Sequence, residues 1–320
     1  MGRSGEKGLT RVVLVGTAVN LMIALLKFVG AGFSGSSAMF AEGFHSLADT
    51  CNQLFILLGL FLSRRAATAR HPFGFGKERY FWTFVVAISV FFLGAAFSIY
   101  EGFQKVLHPH PLESLGLVFG ILFVSLVFEG YAGYVGITEY RHAFGNRPFF
   151  KTARETKDLG LIALVIEDTL AGVGILLAII GIGLTLWTGI DAIDGITSVL
   201  IGLLLAGVAY FLAAESKALL IGEGASEEDL KRIRAAVASV PHVQETIELL
   251  TLHMGPEDLL VNLNLKFSPG LSTEELERTI DAVETAIRTA VPTARRIFIE
   301  AESLKQERAV APPSSFCERG

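Results

Sequence analysis

Charge is scarce along this chain of 320 residues: Asp, Glu, Lys and Arg make up 18%, against 51% hydrophobic residues. With a mean hydropathy of +0.52, the composition excludes an ordinary soluble domain of this length. The formal net charge is −5, which argues against nucleic acid as a partner. Cysteine is rare too. Cys51 lies inside an apolar run and Cys317 in a Pro-Pro-Ser-Ser tail, without CxxC spacing, so neither a disulfide framework nor a thiolate metal site is expected. No Gly-rich loop ending in Lys-Ser/Thr is present, which argues against nucleotide-driven work. No HExxH unit is present either, which argues against a membrane-embedded zinc hydrolase. The N-terminal apolar segment lacks a clear small-residue cleavage site, so it is expected to remain as a first helix.

What is abundant is apolar sequence in long windows, at roughly 10–31, 38–62, 80–104, 113–138, 158–186 and 191–214. Each is near the ~20 residues that a spanning helix needs. Basic residues concentrate in the N-terminus, in Arg64–Arg79 and in Arg141–Lys157, whereas the alternate loops hold only Lys105. By the positive-inside rule, both termini and the two basic connections are expected to be cytoplasmic. From about residue 223 the chain turns rich in charge. The expected organisation is a six-helix transmembrane domain over 1–215, a small cytoplasmic α/β domain over 220–304, and a disordered tail over 305–320.

The second window carries the first chemistry. His45 and Asp49 are four residues apart in an apolar stretch, a spacing that stacks an imidazole and a carboxylate on one helix face. Ionisable groups in hydrocarbon cost a few kcal/mol or more each, so the pair must face protein, water or an ion. It reads as an intramembrane cation site, with a pair that only holds helices together as the alternative. Asn52 and Glu42 share that face, and each either completes the shell, orients a ligand or packs helices. Lys27 is expected to snorkel to the interface, with a functional counter-charge as the alternative. Glu101, Asp191 and Asp194 read as solvated helix-end carboxylates, and Glu129 as either solvated or a deeper proton relay.

The tail reads as helix–strand–strand–helix–strand. Ser226 and Ser272 begin capping sequences, and Leu259–Phe267 alternates Val261, Leu263, Leu265 and Phe267 against Leu260, Asn262, Asn264 and Lys266. Two helices on one face of a small sheet would bury it. So small a unit is expected to pair with a second copy. His242, His253, Glu300 and Glu302 are candidate ligands for a regulatory metal, with plain surface residues the safer reading.

Six spans, the His45-Ser46-Leu47-Ala48-Asp49 pattern and the αββαβ, ferredoxin-like tail together resemble the cation diffusion facilitator family of divalent-metal transporters. The stretches Ala41–Gln53, His71–Trp82 and Leu252–Pro256 look like the branch related to the ninth mammalian zinc transporter. The resemblance implies a homodimer, cytoplasmic metal loading and export in exchange for protons. It further implies a second ligand pair on the fifth helix, where Asp168 matches the second ligand and Leu164 the first. Leucine cannot bind a metal. The adjacent Glu167 is the substitute, although neighbouring helical side chains diverge by about 100°, and a carboxylate that faces a water-filled vestibule or pairs with a basic group is the alternative. The implied metal site is His45, Asp49, Asp168 and Glu167.

One imidazole with two or three carboxylates suits Zn²⁺, and also accepts Mn²⁺, Co²⁺ or Fe²⁺. The expected function is secondary export of a divalent cation, Zn²⁺ first, without an organic cofactor and without an enzymatic reaction. The expected setting is the inner membrane of a bacterium, as a multi-pass protein in contact with lipid. A metal-stabilised receptor or scaffold and an uncoupled uniporter are the alternatives.

Overall fold

A computed structural model describes residues 3–301, apart from 113, 150–151, 154–156 and 158. The expected tail over 305–320, Cys317 and Glu302 lie outside the described residues. Two units divide at Gly222/Glu223, and each is described by itself.

The first unit is all helical. Its elements are α1 (Arg3–Ser34), α2 (Ser37–Ser63), α3 (Glu78–Leu107), α4 (Leu115–Phe144), α5 (Leu159–Thr188) and α6 (Ala192–Ile221). Among the described residues, α2 to α6 are each long and apolar enough to cross a membrane. The apolar part of α1 described as such, Asn20–Ser34, is shorter. Large apolar side chains point outward, among them Phe61, Phe92, Phe123 and Trp187. The interior holds small and branched residues such as Ala38, Ala41, Ala48, Ile175 and Ile182. An apolar exterior around a tightly packed interior is what a bilayer solvent selects.

Turns between helices follow local chemistry. Gly35, at φ 65°, ends α1, and Ser36 caps α2 by accepting from the Met39 N–H at 3.1 Å. Gly189, at φ 69°, makes the short α5–α6 turn. The α3 helix carries a π-helical segment, Val90–Ala96, which no sequence signal announced. Beyond it, α3 and α6 approach backbone to backbone. A Cβ at Gly102 would stand 2.5 Å from the Gly195 carbonyl oxygen, and one at Gly195 2.7 Å from that of Gly102.

The second unit has the order α7 (Glu227–Ala238), β1 (Val243–Gly255), β2 (Asp258–Phe267), α8 (Thr273–Ala290) and β3 (Ala294–Ala301). The sheet order is β1-β2-β3, antiparallel between β1 and β2 and parallel between β2 and β3. Leu259, Val261, Leu263 and Leu265 are all buried, with Ile233 and Val237 of α7 and Val283 and Ile287 of α8 in the same core. The alternation read from the sequence sets this face. Ser226 and Ser272 are the N-caps, and Ser272 with Glu275 forms a complete capping box.

Candidate metal centre

The α2 helix presents Glu42, His45, Asp49 and Asn52 at successive three- and four-residue steps, and all four are buried. His45 is 2% exposed and Asp49 7%. Their closest approach, His45 Nδ1 to Asp49 Oδ1, is 3.7 Å, too long for a hydrogen bond. Neither ring nitrogen of His45 has a hydrogen-bond partner among the described residues, nor does Asp49 Oδ1 or Asn52 Oδ1. Buried polar atoms are ordinarily paired, so four orphans on one helix face call for an explanation. One ring nitrogen of neutral His45, whichever carries no hydrogen, and both oxygens offer lone pairs to a cation.

The fifth helix supplies the facing carboxylates. Glu167 is buried, and its Oε1 accepts from Asn52 Nδ2 at 3.0 Å, which joins α5 to α2. Asp168 is half-buried and turned toward α4, where a Cβ at Gly136 would stand 3.1 Å from its Oδ2. The divergence expected of adjacent helical residues is thus observed. Glu167, Glu129 and Asp168 all lie within electrostatic range of Asp49. Among the described residues, however, no three His, Cys, Asp or Glu side chains converge closely enough to form a finished metal shell. The residues fit a cation by donor chemistry.

Two expectations about charged residues are overturned. Lys27 does not snorkel. It is fully buried, donating to Glu42 Oε2 at 3.0 Å and Ser46 Oγ at 2.7 Å, with Glu129 Oε1 at 3.8 Å. Carboxylates on two neighbouring helices solvate the ammonium better than a climb to the interface would. Asp194 is not a solvated helix end either. It is fully buried and accepts from Ser36 Oγ at 2.7 Å, Ser37 N–H at 2.7 Å and Ser37 Oγ at 3.0 Å. The start of α6 is thereby fastened to the N-terminus of α2, whose dipole favours an anion.

The same end of the bundle holds Lys105, which is buried and lies at the end of α3 instead of in a loop. It donates to the Gly35 carbonyl at 2.8 Å and the His110 carbonyl at 2.6 Å. At the opposite end, Lys77 donates to the Leu220 carbonyl at 3.3 Å. Asp191 and Glu101 are half-buried, and Glu129 is buried near Lys27.

Among the described residues of the second unit, the candidate regulatory ligands His242, His253 and Glu300 do not gather. His253 is buried opposite Leu259, while Glu300 pairs in register with Asn264, five residues farther along β2. That is about 17 Å of strand. His242 precedes β1 at φ 72°.

The chain matches the family model described as the cation efflux transmembrane domain over residues 13–221. It matches the model described as the cation efflux protein cytoplasmic domain over residues 225–304. It is 34% identical over 251 residues to the mouse protein named proton-coupled zinc antiporter SLC30A9, mitochondrial, covering 78% of this chain and 44% of that one. It is 30% identical over 243 residues to the Escherichia coli zinc transporter ZitB, covering 75% and 72%. It is 27% identical over 293 residues to the magnetosome protein MamM of Magnetospirillum gryphiswaldense, covering 90% and 86%. The chain thus spans about half the length of the SLC30A9 relatives that it matches.

Proposed function

Because the chain belongs to the cation efflux family, we propose that it is a secondary transporter exporting a divalent metal cation, Zn²⁺ first, in exchange for protons. His45, Asp49, Glu167 and Asp168 supply the ligands, and Asn52 orients Glu167. The observation that carries this reading is the set of orphaned buried atoms on α2, the two ring nitrogens of His45 and Asp49 Oδ1, facing a carboxylate held from α5. Imidazole nitrogen and carboxylate oxygen suit Zn²⁺ and would also accept Mn²⁺, Co²⁺ or Fe²⁺. Relatives named for zinc and for proton coupling support that choice.

Coupling follows from competition. Ligands must be deprotonated to take a metal, so each ion that binds displaces protons and each proton that returns weakens the site. The polar fastening of α6 and α3 to the α1–α2 turn, through Asp194 and Lys105, holds one end of the bundle together. Opposite it lie the Arg64–Arg79 connection and the α4–α5 connection, whose basic residues make that end cytoplasmic.

The α/β unit joins two copies as a homodimer. Leu250 and Phe298 are exposed in the same register row of the sheet, on the face away from α7 and α8. The chain sits in the inner membrane of a bacterium, a reading for which the bacterial sources of ZitB and MamM, relatives that it spans over most of their length, are the support.

The test is Zn²⁺ uptake into sealed vesicles containing the purified protein, with an acidic lumen imposed. Protons leaving the lumen should speed Zn²⁺ entry, and each ion taken up should raise the lumenal pH. Binding without uptake would mean a metal-stabilised scaffold. Uptake indifferent to the gradient would mean a uniporter.

A further inference from the structure

Lys27 of α1 is a cation held inside the membrane domain by oxygen atoms from two other helices. Its Nζ reaches Glu42 Oε2 at 3.0 Å and Ser46 Oγ at 2.7 Å on α2, and Glu129 Oε1 at 3.8 Å on α4. All four residues are buried. The second oxygen of Glu42, Oε1, accepts no hydrogen bond among the described residues. It faces Gly174 of α5, where a Cβ would collide with it. Two carboxylates and a hydroxyl, with one carboxylate oxygen still unpaired, form an oxygen donor set that a divalent cation can use, Zn²⁺ among them.

Placement makes this set a neighbour of the metal centre and not a part of it. Glu42 and Ser46 are one helical turn apart, as His45 and Asp49 are, but three residues nearer the start of α2. That offset is about 4.5 Å along the helix. Without the ammonium, Glu42 and Glu129 would add two unneutralised carboxylates beside Asp49, Glu167 and Asp168. Buried carboxylates in that number demand counter-cations. A lysine meets the demand with a charge that cannot diffuse away.

We propose that Glu42, Ser46 and Glu129 form a second cation position, filled in the native protein by the Lys27 ammonium. This tethered cation holds each protomer to a single divalent ion at the His45–Asp49 centre. Lys27 is on this account a stoichiometry-determining residue for transport. The proposal rests on the reading above only for the ion at that centre.

The experiment counts Zn²⁺ bound per protomer at equilibrium, using the full-length protein purified in detergent at neutral pH. The wild type should bind one ion, Lys27→Met two, Asp49→Ala none, and the Lys27→Met/Asp49→Ala double variant one. Adding Glu42→Gln and Glu129→Gln to Lys27→Met should return the count to one. If Lys27→Met does not fold, Lys27→Met/Glu129→Gln carries the test, since it leaves one carboxylate and the Ser46 hydroxyl. It too should gain an ion, with weaker affinity. A folded Lys27 variant that binds no more Zn²⁺ than the wild type would overturn the proposal and leave Lys27 as a helix tie. An ion retained by Asp49→Ala would instead fault the His45–Asp49 centre, and a gain on losing Lys27 would still support the second position.

Discussion

Asn52 on α2 donates its side-chain amide to Glu167 on α5 at 3.0 Å, in the interior of the membrane domain. The bond turns Glu167 toward the helix that carries His45 and Asp49, while Asp168 faces α4. Glu167, and not Asp168, is thus the carboxylate of α5 held against the helix that carries the His45–Asp49 pair.

The first prediction follows from that bond. Asn52→Ala should weaken Zn²⁺ affinity by about 10–100-fold, the usual cost of losing a group that orients a ligand. Glu167→Gln should weaken it further, because a neutral amide replaces a charge in a low-dielectric site. Leu164→His in the Glu167→Gln background supplies a ligand one turn before Asp168, and it should recover affinity if α5 can turn Asp168 toward α2. Titration calorimetry on the three variants and the wild type reads the order. Equal affinity for Glu167→Gln and wild type would remove Glu167 from the site.

The second prediction concerns Asp194, which accepts from both Ser36 and Ser37. Asp194→Ala removes charge-assisted hydrogen bonds worth about 1.5–3 kcal/mol each in typical settings. The thermal melting midpoint in detergent should fall, and amide exchange should rise first at the N-terminus of α2. An unchanged melt would mean that the serines find other partners at no cost.

The third prediction concerns the α/β unit. Hydrogen bonds from the Ser272 backbone and side chain hold the Glu275 carboxyl below its ordinary range. A carboxyl lowered by folding contributes stability that is present above its unfolded value, about 4.3. That contribution is lost as pH falls through the folded value. Amide protection in the first turn of α8 should therefore drop on acidification. In Glu275→Gln, which can still cap but cannot titrate, the drop at this turn should shrink. Identical acid profiles would contradict the linkage.

Much of this architecture was legible in the sequence. Apolar windows located the helices because a bilayer demands length and hydropathy together. Strict alternation placed Val261, Leu263 and Leu265 on the buried face of β2. His45 and Asp49 announced themselves because two ionisable residues one turn apart in hydrocarbon have few innocent uses. The partners of Lys27 and Asp194 were not legible. Each depends on which helices are neighbours and at what rotation, and an apolar run encodes neither. The close approach of α3 and α6 at Gly102 and Gly195 is not legible for the same reason. Glycines are common in membrane helices, and only packing tells which ones touch.

The most direct test of the central claim is Zn²⁺ flux into acid-loaded vesicles containing either wild-type protein or Asp49→Ala, each verified as folded and inserted. Wild-type vesicles should take up Zn²⁺ and lose their pH gradient together, and Asp49→Ala vesicles should do neither. Equal Zn²⁺ flux in the two preparations would contradict the assignment of the His45–Asp49 pair as the transport site.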